Sequence, residues 1–190
     1  MGALRPFFYG CNERLFFTKG DYMKKSVRNL TQTALIAALY VALTYLQNFL
    51  LPGSATWAIQ FRASEALCVL ALFTPAAIPG LTIGCLLFNI SFSGALPLDS
   101  LVGSLASFLA AGGMRLIRRI TIKGYPLPAM LLPAVCNALL VGWELSVYIG
   151  GGFFLNALYV AIGEAAVVLT LGSALFYGLK SRHLDKKLFG

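Results

Sequence analysis

The sequence predicts an all-α integral membrane protein, built as one bundle of six membrane-spanning helices. The chain has 190 residues, of which 58% are hydrophobic and only 12% are charged. Its mean hydropathy is +0.79, well outside the usage of ordinary globular domains. A helix that crosses a bilayer needs about 20 mostly apolar residues. Residues 30–179 leave room for roughly six such helices with tight connections.

Breaks in the apolar pattern set the limits of the six spans. Proline and glycine clusters such as LPGS, TPAAIPG and IGGGFF mark turns, because proline breaks a helix and glycine favours tight turns. The predicted spans are residues 30–51, 58–73, 76–92, 98–114, 128–148 and 154–179. Residues 1–22 show no clear period, so we expect a leader there, followed by a single membrane domain over 23–190.

Three basic clusters orient the bundle. They are Lys24, Lys25 and Arg28; then Arg115, Arg118, Arg119 and Lys123; then Lys180, Arg182, Lys186 and Lys187. Basic residues beside spans mark the cytoplasmic side, and six crossings place all three clusters there, with both termini. We interpret the net charge of +8 as a topology signal and expect no nucleic-acid binding, because aromatic residues do not interleave with the basic ones.

The sequence shows no signature of an enzyme or a metal centre. It contains no G-x-x-x-x-G-K-[ST] phosphate loop, so we expect no ATPase activity in this chain. The only histidine, His183, lies in the basic tail, and none of the four cysteines belongs to a C-x-x-C pair. We therefore expect no metal site, no cofactor and no catalytic residue.

Polar residues collect in the outer half of the predicted bundle. They are Arg62, Glu65, Asn89, Asp99, Asn137, Glu144, Asn156 and Glu164. Asn137 and Glu144 are seven residues apart and share a helix face. Trp57, Trp143 and Tyr159 add aromatic surface at the same level. Apolar and aromatic walls with a few convergent polar groups are typical of a small-molecule pocket.

Two carboxylates, Glu144 and Glu164, carry the strongest functional signal. No Lys or Arg lies between them, and a charge in the membrane centre costs about 2.5–3.5 kcal/mol and is functional by default. Carboxylates outnumber the one deep cation, Arg62, which favours a ligand that is cationic or rich in N–H donors. The other candidate residues also have structural interpretations. Arg62 and Glu65 could form an interfacial ion pair, and the helix dipole could stabilise Asp99 at the start of a helix. The aromatic residues could belong to a membrane-interface belt.

Small residues recur at the spacing of packed membrane helices. Ala34, Ala38 and Ala42 form one stripe, and Gly80 and Gly84 form a G-x-x-x-G pair. Such stripes let two backbones approach closely. They serve either packing within the bundle or the docking of another membrane subunit.

Three stretches of the chain carry a family resemblance. They are QFRASEALCVLALFTPAAIPGLTIGCLLFN (60–89), LPAVCNALLVGWELSVYIGG (132–151) and NALYVAIGEA (156–165). They resemble the QueT family, which comprises substrate-binding subunits (S components) of energy-coupling-factor transporters, and the resemblance covers about residues 24–180. It implies capture of a queuosine precursor from outside a bacterial plasma membrane: 7-aminomethyl- or 7-cyano-7-deazaguanine, or queuine. It also implies a membrane coupling subunit, docked at Ala34, Ala38 and Ala42, and two cytoplasmic ATPases.

The resemblance gives the polar residues expected roles. Glu144 and Glu164 would accept the N1–H and 2-amino edge of the base and the ammonium of an aminomethyl arm, in an order left open. Asn137 or Asn89 would bond the ring heteroatoms, Trp143 or Trp57 would stack, and Arg62 would contact the ring carbonyl or hold Glu65. Two alternatives stay open: an S component for another vitamin-like nutrient, and an autonomous membrane carrier.

Overall fold

The computed structural model describes residues 19–52, 61–92 and 98–182, with side chains from residue 25 onward. Six helical segments follow one another in this part of the chain, as the sequence predicts. They are α1 (Lys19–Leu50), a 3-10 helix (Ala63–Leu72), α2 (Ala77–Ser91), α3 (Asp99–Ile117), α4 (Leu127–Tyr148) and a final rod, Phe153–Ser181. The rod consists of α5 (Phe153–Val167), a π-helical turn (Val168–Gly172) and α6 (Ser173–Ser181). Outside these helices, an isolated bridge joins Ile122 and Tyr125.

Four of these helices are long and apolar enough to cross a membrane. They are Lys25–Leu50, Asp99–Ile117, Leu127–Tyr148 and Phe153–Ser181. The first span extends further than the sequence predicts, because α1 begins at Lys19 and so runs through the last residues of the expected leader. Residues 1–18 of that leader lie outside the described residues. The all-helical character and the count of six helical segments are confirmed for the described residues, and four of the helices have the length and composition of membrane spans.

The second span differs most from the prediction. Its helical part is ten residues long and of the 3-10 type, although 3-10 runs beyond three or four residues are uncommon. It contacts every other helix of the bundle, and all of its residues except Ala63 are buried. Because 3-10 geometry rises about 2.0 Å per residue, these ten residues span about 20 Å along their own helix axis. Its burial and its contacts with every other helix make it the central helix of the bundle.

Consecutive helices pack side by side from α1 to α5. Glycines permit the close contact of α1 with α2: a Cβ on Gly80 would lie 2.9 Å from Ile36 Cβ, and one on Gly84 would lie 2.7 Å from Tyr40 Cβ. The predicted G-x-x-x-G pair therefore serves packing inside the bundle. Arg115, Arg118, Arg119 and Lys180 all lie towards one end, which we call the basic end. The first turn of the 3-10 helix and the start of α3 lie towards the other.

Candidate ligand-binding site

Seven of the predicted site residues form a buried polar cluster. Each exposes no more than 5% of its surface: Arg62, Glu65, Asn89, Asp99, Asn137, Glu144 and Glu164. Five different elements supply them, namely the central 3-10 helix with its N-cap, α2, α3, α4 and α5. Apolar helices position the cluster because their outer faces are covered with large hydrophobic side chains, which leaves the polar groups inside.

Arg62 lies at the junction of the cluster. Its Nη2 is 4.0 Å from Asp99 Oδ1, and Asn89 Nδ2 donates a 2.8 Å hydrogen bond to the Asp99 backbone carbonyl. Gly103 provides the space for this arrangement, since a Cβ there would lie 2.9 Å from Asn89 Nδ2 and 3.7 Å from Arg62 Nη1. The start of α3 is thus tied to the end of α2 and to the N-cap of the 3-10 helix.

Glu65 is held by the protein itself. Tyr40 in α1 donates a 2.7 Å hydrogen bond to Glu65 Oε1. The Cys68 thiol donates a 3.1 Å hydrogen bond to Glu65 Oε2. Each carboxylate oxygen therefore accepts a hydrogen bond from a neighbouring side chain. This arrangement favours a structural role for Glu65, and it draws Tyr40, which the sequence did not single out, into the cluster.

Glu144 and Glu164 differ from Glu65 in this respect. Glu144 lies beside Asp99, and Glu164 lies beside Glu65 and Asn137, so carboxylates face carboxylates. Among the described side chains, five buried oxygen atoms have no hydrogen-bond partner: Asn89 Oδ1, Ser107 Oγ, Glu144 Oε1, Glu144 Oε2 and Glu164 Oε2. All five can accept a hydrogen bond. A ligand with several N–H donors or a positive charge would satisfy them.

The four remaining predicted site residues are not among the seven residues of the buried polar cluster. Trp57 lies outside the described residues. Trp143 is 50% exposed on the surface of α4, one residue and therefore about 100° of helix rotation away from buried Glu144. Asn156 Nδ2 donates a 3.0 Å hydrogen bond to the Gly150 carbonyl and so fixes the turn before α5. Tyr159 is partly exposed.

The alanine stripe lies on the outside of the bundle. Ala34, Ala38 and Ala42 are exposed, whereas Ile36 and Tyr40 on the opposite face of α1 are buried. The stripe forms the floor of an apolar groove of about 590 Å³ between α1 and α2. The groove is lined by Leu30, Thr33, Ala34, Ala37, Ala38, Val41, Ala42, Ile83 and Leu87. These alanines are therefore available to a helix that approaches from the membrane.

Apolar helices around a buried, acceptor-rich polar cluster define an integral membrane protein with an internal polar site. The model of the QueT transporter family matches residues 30–181, and the chain therefore belongs to that family, which confirms the resemblance seen in the sequence. The chain is also 39% identical over 94 residues to a protein of Lactococcus lactis subsp. cremoris (strain MG1363) named "Queuosine precursor transporter QueT". This match covers 47% of the chain and 53%, about half, of that relative. No solved structure matches the chain.

Proposed function

We propose that the protein is the substrate-binding subunit of an energy-coupling-factor importer and that it binds a queuosine precursor, a 7-deazaguanine base. The observation that carries this proposal is the set of buried acceptors without partners, above all both carboxylate oxygens of Glu144. Membership of the QueT transporter family and the name of the Lactococcus relative point to the same class of ligand.

The chemistry of the base complements the cluster. A 7-deazaguanine presents N1–H and its 2-amino group side by side, and a carboxylate accepts two such parallel donors. Glu144 suits this role because both of its oxygens lack partners. Glu164, with one such oxygen, Oε2, then takes the ammonium of an aminomethyl arm.

Other residues of the cluster suit the remaining ring atoms. Asn89 Oδ1 is a buried acceptor without a partner and suits the ring N–H of the five-membered ring. Arg62 carries the cluster's positive charge and suits the ring carbonyl, while Asn137, beside Glu164, can donate to a ring nitrogen. Trp143 lies on the outer surface and is not assigned to stacking, and the other predicted stacking residue, Trp57, lies outside the described residues.

A binding titration tests the ligand. The purified, detergent-solubilised chain is titrated with 7-aminomethyl-7-deazaguanine, the 7-cyano base, queuine and guanine, and Trp fluorescence is followed. We expect one deazaguanine to bind tightly and guanine to be excluded. If none of them bound, the deazaguanine proposal would be wrong, and the buried carboxylates would require a different cationic or N–H-rich nutrient.

The apolar groove is the proposed docking site for the coupling subunit. Exposed small residues let a partner helix approach the backbone closely, and Ala34, Ala38 and Ala42 present such a surface along α1. We assign ATP hydrolysis to two cytoplasmic ATPases joined to that subunit. The basic end then faces the cytoplasm, in accordance with the positive-inside rule, and the polar cluster faces the outside of a bacterial plasma membrane.

Two alternative functions would give different experimental results. An S component for another vitamin-like nutrient would co-purify with that nutrient, which mass spectrometry identifies. An autonomous carrier would support uptake in cells that lack the coupling ATPases, whereas the proposed subunit would not.

A further inference from the structure

A second cavity lies at the basic end of the bundle, away from the polar cluster. Its volume is about 300 Å³, and it opens between the end of the 3-10 helix, the connection from α3 to α4, and α6. It is lined by Leu72, Phe73, Arg118, Arg119, Thr121, Gly124, Pro126, Phe176 and Lys180. We call it the basic cleft.

The basic cleft combines an apolar floor with a cationic rim. Leu72, Pro126 and Phe176 are buried, whereas Arg119 and Lys180 are exposed. The Lys180 ammonium lies 5.5 Å from the centre of the Phe176 ring, a cation–π distance that directs it over the floor. Three positive charges, those of Arg118, Arg119 and Lys180, therefore converge on one small volume.

The described residues provide no negative charge to balance these three. The four carboxylates whose side chains the structure describes all belong to the buried polar cluster: Glu65, Asp99, Glu144 and Glu164. No ion pair within the described part of the chain involves Arg118, Arg119 or Lys180. Arg115 lies near Arg118 and adds to the positive potential, although its Nη1 is directed to the carbonyls of Ala71 and Leu72 at 3.4 and 3.3 Å.

We propose that the basic cleft binds a phosphate group and that this phosphate belongs to the headgroup of an anionic phospholipid. Arginine presents a fork of donors that matches phosphate oxygens, and basic pockets between membrane helices bind phospholipid headgroups. The cleft lies where α3 and α6 end, and the ends of membrane-spanning helices lie at the level of the headgroups. An orientation signal alone would place basic residues at this end without gathering three of them around one cavity.

Native mass spectrometry of the intact, detergent-purified protein tests the proposal. Phosphatidylglycerol is titrated against phosphatidylcholine, and lipid occupancy per chain is counted. We expect one phosphatidylglycerol to bind in preference to phosphatidylcholine. The triple variant Arg118→Gln, Arg119→Gln, Lys180→Gln should lose affinity for it by about 100-fold, because each of these side chains lines the cleft and the loss of one contact to the headgroup phosphate costs about fivefold.

A second triple variant controls for charge number. Lys25→Gln, Arg28→Gln and Arg182→Gln also remove three positive charges, but from positions outside the cleft. We expect it to retain the wild-type affinity. Equal losses in the two triple variants, or no loss in either, would overturn the proposal, because net charge would then explain the binding.

Soluble phosphate and misfolding are distinguished by two further measurements. Inorganic phosphate that displaced the lipid with equal affinity would assign the cleft to a soluble ion and overturn the lipid assignment. If the triple variant does not elute as a folded species, Arg118→Gln and Lys180→Gln are measured singly, and each should lose about fivefold. Deazaguanine binding is measured on every variant, so that a failure of the proposed function can be distinguished from a failure of lipid binding in the basic cleft.

Discussion

The Tyr40 hydroxyl donates a 2.7 Å hydrogen bond to Glu65 Oε1, which links α1 to the central 3-10 helix across the core of the bundle. Tyr40 is fully buried and Glu65 is 1% exposed. A carboxylate at this depth requires donors, and Tyr40 supplies one to an oxygen that water does not reach. The bond therefore stabilises the fold, and we expect Glu144 and Glu164, rather than Glu65, to contact the ligand.

Removal of the Tyr40 hydroxyl should destabilise the protein. Tyr40→Phe leaves Glu65 Oε1 buried without its donor, which costs about 1–3 kcal/mol, and the thermal unfolding midpoint in detergent should fall. Tyr45→Phe is the matched control, because the Tyr45 hydroxyl donates 2.8 Å to Ser91 Oγ at an exposed position. Equal falls of the unfolding midpoint in the two variants would show that the buried hydrogen bond stabilises the protein no more than the exposed one does.

Glu144 and Glu164, the two carboxylates with oxygens that lack a hydrogen-bond partner, should respond differently to the 7-substituent of the base. Glu144→Gln should weaken the binding of both the 7-aminomethyl and the 7-cyano bases by about 1.5–3 kcal/mol, because a charge-assisted contact to the shared ring edge is lost. Glu164→Gln should weaken the aminomethyl base alone, since the cyano group carries no ammonium. Titration of each variant with both bases measures this.

The opposite pattern would exchange the two roles. If Glu164→Gln weakened both bases and Glu144→Gln only the aminomethyl one, Glu164 would be the residue that reads the ring edge. If neither variant changed either affinity, Glu144 and Glu164 would not contact the ligand.

A methyl group at Gly103 should disturb the polar cluster. In Gly103→Ala the added Cβ would lie 2.9 Å from Asn89 Nδ2, so Asn89 must move away from the Asp99 carbonyl, and we expect weaker deazaguanine binding. Gly112→Ala in the same helix meets no atom within 4 Å and should stabilise α3 by up to about 1 kcal/mol through helix propensity. Unchanged binding in Gly103→Ala would show that Asn89 is not part of the site.

A larger side chain in the apolar groove should separate binding from transport. Ala38→Leu fills the groove and leaves the polar cluster untouched, so we expect normal deazaguanine binding but loss of uptake in cells that express the coupling subunit and ATPases. Ala166→Leu adds the same volume at an exposed position of α5, outside the groove, and should support normal uptake. Full uptake by Ala38→Leu would place the docking surface elsewhere.

The six helical segments and most of the polar cluster could be predicted, because apolar length, proline breaks and rare intramembrane charges are local features of the sequence. The 3-10 geometry of Ala63–Leu72 could not, since burial against every neighbouring helix decides it rather than the pattern of its own residues. The sequence offers Trp143 or Trp57 for stacking on the ligand, and the exposure of Trp143 could not be predicted, because a rotation of about 100° along α4 separates it from buried Glu144. Tyr40 was missed because a tyrosine in an apolar span is also typical of a membrane-interface belt.

Helix α2 has 15 residues and so reaches about 22 Å, whereas the hydrocarbon layer of a bilayer is roughly 30 Å thick. In a bilayer its exposed residues Ile83, Leu87 and Ile90 would meet lipid. A bilayer adapts to so short a helix by local thinning, at a fraction of a kcal/mol per Å. Two of these residues, Ile83 and Leu87, also line the groove. A partner helix seated there would displace the thinned lipid, so hydrophobic mismatch would itself favour assembly, and the complex should be tighter in thicker bilayers.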